Sequence, residues 1–357
     1  MKYHKKGRKI KKKFVFYITI ILIFSILAML FLFVNNREIK QEGWEAEVLV
    51  ENLDTPWAID FLPDSRMIFT ERLGRVSILD KNKLTVIKNI KVSEVDESGL
   101  LGIAVDPEFT QNKFIYLYYT HENGGRVSRF ILNETLEDEF ILLDNIPNAQ
   151  FHNGGRIKFG PDNNLYITTG DATIPSSAQV LDSLAGKILR INKNGSIPED
   201  NPFGNYIYSY GHRNPQGIAW HPLTKELYSS EHGPTKNDEI NIIMVGENYG
   251  WPDTECDEIS SKYKNPIRCY SEFTLAPSGI AFYKNDLYIA GLRGKQLRRI
   301  VFDKTGTITL EEELFNNLGR IREVVEHNGY LYIATSNKDG RGIPKIDDDK
   351  IIRIKFI

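Results

Sequence analysis

The segment HNGGRIKFGPDNNLYITTGD, His152 to Asp171, sets a histidine before a glycine pair and ends on a glycine and an aspartate. Two apolar runs separated by a turn lie between them, so as strand, turn and strand the segment brings its ends back to one edge of a sheet. His152 and Asp171 would then be neighbours, the arrangement of a general base held in one tautomer and supported when it takes up a proton. Such a pair is more often structural, so its chemistry has to be argued from what surrounds it.

YGHRNPQGIAWHP, from Tyr210, supplies Arg213 and Asn214 between a glycine and a proline. An arginine there can bind an anion with its planar fork, and asparagine offers both donor and acceptor. LGRIREVV adds Arg320 and Arg322, which on a strand point to the same side. Three arginines aimed at one pocket are costly without a polyanionic guest; the alternative for Arg320 and Arg322 is a solvent-exposed strand face. SSEHGPTKNDEINIIMVGENYGWP, from Ser229, is dense in oxygen donors: Glu231, Asp238, Glu239 and Asn241, with a Gly233-Pro234 turn that presents carbonyls. Hard cations such as calcium take such ligands. His152, His212, His221 and His232 lack the two-histidine helical spacing of a zinc enzyme. The chain has no nucleophile elbow, phosphate-cradling loop or dinucleotide fingerprint.

The elements that must position these residues are strands. From residue 45 the chain reads as short apolar runs broken by Gly, Asn, Asp and Pro, an all-β pattern. One kind of strand recurs: MIFTE at Met67, IYLYYT at Ile115, LYITTGD at Leu165, LYSSEHG at Leu227, LYIAGLRG at Leu287 and LYIATSNKDG at Leu331. Turn pairs precede most of them, among them Asp64-Ser65, Asn163-Asn164, Asn285-Asp286 and Asn328-Gly329. Six copies at this spacing predict a six-bladed β-propeller over residues 45–357. Equivalent strands run in one direction, so their followers gather on one rim: Glu71-Arg72, His121, Gly170-Asp171, Glu231-His232-Gly233, Arg293 and Ser336-Asn337.

Ahead of the propeller, residues 1–13 hold eight Lys or Arg and no acid, and Phe14 to Val34 is an uncharged run of 21 residues. That length spans a bilayer, and no small-residue cleavage site follows it. Residues 14–34 are therefore read as a retained transmembrane anchor and 35–44 as a linker, with the basic flank cytoplasmic and the propeller outside, at the cell membrane. With eight of the 45 basic residues in the first 34 and none of the 47 acids, the remainder carries 37 against 47, a net charge of about −10. A nucleic-acid partner is disfavoured. Cys256 and Cys269 lie in a polar stretch outside the membrane and are expected to pair, although spacing alone leaves two free thiols open.

Eight ordered blocks, LDTPWAIDFLPDSRMIFTERLGRV, SGLLGIAVDPEF, HNGGRIKFGPDNNLYITTGD, LAGKILRINKNGSIPEDNPF, GHRNPQGIAWHP, EHGPTKNDEINIIMVGENYGWP, APSGIAFY and GRIREVV, resemble the soluble glucose/sorbosone dehydrogenase family over about residues 48–355. These are quinoprotein aldose dehydrogenases that use pyrroloquinoline quinone (PQQ). The resemblance implies that His152 takes the proton from the anomeric hydroxyl of an aldose while hydride passes to the quinone, and that Asp171 orients the histidine. It implies that Arg213 contacts the quinone oxygens, with Asn214 beside it on the cofactor. Gly233 and Pro234 would give the carbonyls that hold Ca2+, and Arg320 and Arg322 would grip the cofactor carboxylates.

This chain departs from the family pattern at three places. Arg293 in GLRGKQ stands where lysine is frequent, Glu97 replaces a glutamine that helps to bind substrate and cofactor, and Phe151 stands where glucose-oxidising members carry an aspartate. The first leaves cofactor binding in place; the other two bear on the substrate.

The expected reading is an anchored propeller that oxidises aldoses to lactones and passes electrons to an external acceptor, possible as a homodimer. Its base must be neutral to act, so activity is expected to rise with pH as His152 loses its proton. Two other classes stay open. A calcium-dependent lactonase would work without quinone, and a non-catalytic cell-surface propeller would bind ligand without turnover.

Overall fold

A computed structural model describes residues 41–256 and 258–357, with Tyr17, Thr19, Ser25 and Ile39. Apart from Tyr17, Thr19 and Ser25, the anchor expected at 14–34 lies outside the described residues, as does half of the linker at 35–44, and among the described residues no helix is long and apolar enough to cross a membrane.

The strands form six four-stranded antiparallel sheets. The first blade holds β2 (Pro56–Phe61), β3 (Met67–Glu71), β4 (Arg75–Asp80) and β5 (Lys83–Asn89). The second holds β6 (Leu100–Val105), β7 (Phe114–His121), β8 (Gly124–Leu132) and β9 (Leu136–Ile146). In the third are β10 (Ile157–Phe159), β11 (Leu165–Thr169), β12 (Lys187–Ile191) and β13 (Ile207–Tyr210), and in the fourth β14 (Pro215–Trp220), β15 (Leu227–Glu231), β16 (Asp238–Ile243) and β17 (Arg268–Tyr270). The fifth contains β18 (Pro277–Tyr283), β19 (Asp286–Gly291), β20 (Gln296–Phe302) and β21 (Ile308–Leu314). The sixth contains β22 (Ile321–His327), β23 (Tyr330–Thr335), β24 (Ile351–Phe356) and, as its outermost strand, β1 (Trp44–Val50). Each innermost strand touches the next and β22 touches β2, so the six-bladed propeller closes as expected.

The recurring strand of the sequence is the second of every blade. β3, β11 and β15 are buried along their whole length because neighbouring blades cover both faces. They therefore read as unbroken runs of apolar and small residues, closed in β3 and β15 by a glutamate, rather than as alternations. Left-handed Ser65, Asn163 and Asn328 make the turns before β3, β11 and β23. In the fifth blade the strands end at Tyr283 and resume at Asp286, so the turn is Lys284-Asn285, with Lys284 left-handed, one residue earlier than expected.

β1 closes the ring by pairing with β24 from Trp44↔Phe356 to Val50↔Ile351. It starts one residue before the expected boundary because the Trp44 ring packs edge-on to Tyr288, Phe315 and Phe356. At the axis the buried guanidinium of Arg156 lies 4.1 Å from the Trp57 ring, donates from Nε to the Gln216 carbonyl and pairs with buried Glu323. Gly279 has to be glycine, since a Cβ there would overlap the Glu323 carboxylate. Cys256 and Cys269 are disulfide-bonded, their Cα atoms 5.4 Å apart.

Candidate active site

The loops that follow the second strands of blades four to six and the segments that join successive blades converge on a cavity of about 400 Å³, lined among others by His152, Arg213, His232, Gly233 and Pro234. His152, in the loop between β9 and β10, is held in the left-handed region at φ 61°. That conformation is costly for a non-glycine residue and needs support from its surroundings. Its N–H donates to Glu97 Oε2 at 3.0 Å, and its carbonyl sits so close to Gly170 that a Cβ there would overlap it. The ring Nδ1 lies 2.7 Å from Asp171 Oδ1. Buried Asp171 also accepts from the Thr173 N–H on Oδ1 and from Trp251 Nε1 on Oδ2, both at 2.8 Å. The acceptor-only carboxylate places the imidazole proton on Nδ1 and leaves the lone pair on Nε2.

Arg213 follows β13, and its carbonyl accepts from the Asp171 N–H, tying the third blade to the fourth. Its Nη1 donates to the carbonyls of His232 at 3.0 Å and Gly233 at 2.7 Å, and its guanidinium lies 5.3 Å from the Trp251 ring. The expected calcium carbonyl of Gly233 thus already faces a positive group. Asn214 Oδ1 accepts from the Gly154 N–H and from Gln216. Arg320 and Arg322 reach one side, as expected, and both are buried, which removes the solvent-exposed alternative. Arg320 donates from Nε and Nη2 to Asp339 Oδ2 at 2.8 and 2.7 Å, and Arg322 lies 3.6 Å from the same oxygen. Burial, with Arg320 and Arg72 nearby and Asp339 opposing, pulls Arg322 down to about 9, so it stays charged at neutral pH. Arg293 lines the cavity as an exposed residue at its mouth.

Glu97 is more than a substituted glutamine. Its Oε1 pairs with Arg341 at 2.7 Å while Oε2 holds the His152 backbone. Burial opposes its charge, but His232 and Arg341 outweigh that and hold the carboxyl down at about 2. The Arg341 guanidinium lies 5.2 Å from the Phe151 ring. His232 is pushed down to about 3 by burial, against Glu97 and with the help of Arg322, Arg213 and His152, so it is neutral near pH 7 and acts on Glu97 only in the acid range where it is protonated.

The carboxylates around Gly233 are spent on the protein, whereas the buried Asn241 Oδ1 has no partner among the described residues. Glu231 binds His212 and the Arg213 N–H; Asp238 accepts from the N–H groups of Gly233, Leu275 and Ala276. Glu239 accepts from the Cys256 N–H and Asn241 Nδ2, and burial beside Glu231 raises it to about 7. Among the described residues no group of three His, Cys, Asp or Glu could hold a metal ion. Of the rim residues, Glu71 pairs with Arg75 and His121 with Asp144, so neither joins the cavity. Trp251, Asp339 and Arg341 were not singled out in the sequence, although the first two lie within quoted blocks.

Four buried nitrogens have no partner among the described residues: Arg213 Nε and His232 Nε2 on residues that line the cavity, Asn214 Nδ2 on the chain neighbour of Arg213, and Arg322 Nε just beyond Ile321 from cavity-lining Arg320. Unpaired buried polar atoms are costly, and three of these are obligate donors. The donor set therefore fits an acceptor-rich, anionic guest, as a tricarboxylated quinone would be.

The family model described as "Glucose / Sorbosone dehydrogenase" matches residues 53–348. The aldose sugar dehydrogenase YliI of Escherichia coli (strain K12) is 33% identical over 338 residues, 82% of this chain and 90% of that protein. Quinoprotein glucose dehydrogenase B of Acinetobacter calcoaceticus is 35% identical over 255 residues, 60% of this chain and 53% of that one. Among solved structures, the PQQ-bound form of the aldose sugar dehydrogenase of Streptomyces coelicolor superposes with a TM-score of 0.84 at 35% identity, over 87% of this chain and 98% of that one. On fold, site and sequence together, this chain belongs to the glucose/sorbosone dehydrogenase family.

Proposed function

We propose that the protein is a quinoprotein aldose dehydrogenase that binds PQQ and Ca2+ and oxidises aldoses to lactones. The observation that carries this reading is the set of unpartnered nitrogens on Arg213, Asn214, His232 and Arg322 beside a histidine already oriented by a carboxylate. PQQ, when bound, supplies the two-electron acceptor for the hydride leaving the sugar. Arg320 and Arg322, with Arg213 and Asn214, would hold it; Arg293 at the mouth adds a further positive charge. Calcium would take the carbonyls of Gly233 and Pro234, which requires Arg213 Nη1 to release Gly233.

His152 Nε2 takes the proton of the anomeric hydroxyl. Asp171 keeps Nδ1 protonated throughout and stabilises the imidazolium that results. Glu97 holds the strained backbone of His152 so that the ring stays aimed at the cavity. Phe151 and Arg341 border the side from which a sugar enters, and they offer a ring face and guanidinium donors where an aspartate would offer acceptors.

The protein is also proposed to be held by an anchor at 14–34 with the propeller outside. Trp44 pairs with Phe356, at the far end of the sixth blade from Ile351, which follows the loop of Asp339 and Arg341. A tether entering there leaves the cavity facing away from the membrane, open to sugar and to an external electron acceptor. Protease protection in intact cells tests this: a propeller that resists external protease until the cells are lysed would refute it. The catalytic reading is tested by reconstitution with PQQ and Ca2+ and aldose-dependent dye reduction.

A further inference from the structure

Lys187 opens β12 with its side chain fully buried, and no part of the chemistry above uses it. It sits at the neck of the loop between β11 and β12, where the Gly186 N–H donates to the Gly170 carbonyl and Thr169 Oγ1 donates to the Leu184 carbonyl. From there its Nζ turns back into the loop and donates to three carbonyls, Ser177 at 3.0 Å, Ala178 at 3.0 Å and Ala185 at 2.6 Å. An ammonium has three protons, and all three are used. No carboxylate forms an ion pair with it among the described residues. Burial pushes the ammonium down to about 7, and the three carbonyls work against that push.

Two of those carbonyls belong to the 3-10 turn Pro175–Gln179. This turn is fastened to Asp171 at two places. Within the loop, Ser177 Oγ donates to the Asp171 carbonyl. Across the cavity wall, Gln179 Nε2 donates to the Trp251 carbonyl at 2.7 Å and its Oε1 accepts from Asn248, while Trp251 Nε1 donates to Asp171 Oδ2.

We infer that Lys187 is a positioning residue of the catalytic pair: by clamping the Pro175–Gln179 turn it fixes Asp171 through its own loop and through Trp251, and so aims His152. The inference rests on the proposed role of His152. A side chain that merely filled space there would be apolar, because three buried carbonyls directed at one point are stable only around a donor.

The test compares wild type, Lys187→Met and Gln179→Ala. Two proton resonances are read in the cofactor-free protein: the downfield Nδ1–H of His152 bound to Asp171, and the Trp251 indole N–H. Lys187→Met is expected to lose the first or speed its exchange about tenfold, and to shift the second. After reconstitution its kcat is expected to fall about tenfold or more with KM within about twofold, as for a misaligned base. Folded Lys187→Met with both resonances unchanged overturns the inference. If that variant does not fold, Gln179→Ala decides, since it cuts the link to Trp251 and leaves the clamp intact; unchanged resonances there also overturn it. A wild type that fails to turn over would sink the dehydrogenase reading alone, because the resonances are read without cofactor.

Discussion

Glu97 reaches His152 by its backbone rather than its ring: Oε2 accepts the His152 N–H at 3.0 Å, while Oε1 accepts from Arg341 Nη1. One carboxylate thus joins the loop before β6, the loop carrying the base and the loop before β24. Where relatives are expected to have an uncharged amide, this chain has an ion pair at the cavity mouth.

The Glu97 carboxyl sits at about 2, below its ordinary value of 4.5. A carboxylate depressed in the folded state adds stability above the unfolded value, and that stability is lost as pH falls through the folded one. Between about pH 4.5 and pH 2, wild type is therefore expected to lose more stability than Glu97→Gln. Urea midpoints of the two proteins across that window check it.

Asp171→Asn is expected to lower kcat by about 10²-fold or more, because the amide no longer supports a protonated imidazole or fixes its tautomer. Steady-state kinetics of the reconstituted protein check this, with PQQ affinity expected to stay close to wild type.

Asp339→Asn leaves Arg320 and Arg322 buried around an uncharged partner. Breaking such a cluster costs on the order of 3–5 kcal/mol. The cofactor-free variant is expected to melt at a lower temperature than wild type, and PQQ is expected to raise its melting temperature by more than it raises that of wild type, since the ligand supplies the missing negative charge. Thermal melts with and without PQQ measure both.

Removing the disulfide as Cys256→Ala with Cys269→Ala is expected to cost about 3 kcal/mol, from the entropy of the loop it closes. Denaturant unfolding of the double variant, compared with wild type under oxidising conditions, tests this.

The blades were legible in the sequence because their second strands are covered on both faces, so segments such as Leu165–Thr169 and Leu227–Glu231 carry an unbroken apolar or small-residue signature. The pairing of His152 with Asp171 was legible for a separate reason: a strand hairpin returns its ends to one place. Loop partners were not. Asp339 and Arg341 follow the last recurring strand without periodicity, and nothing local says that Asp339 receives two arginines from β22 and the loop before it. Glu231, Asp238 and Glu239 looked like metal ligands because a sequence shows oxygen atoms but not the N–H groups already bound to them. Glu97 was noticed only as a departure, and its link to the His152 backbone depends on two blades meeting.

The most direct test of the central claim is aldose-dependent dye reduction by the purified protein with Ca2+, measured with and without PQQ and alongside His152→Ala. Turnover that requires PQQ and falls at least about 10²-fold in the variant is expected. Turnover independent of PQQ, or a variant as fast as wild type, would contradict the assignment of this cavity as a quinone site with His152 as its base.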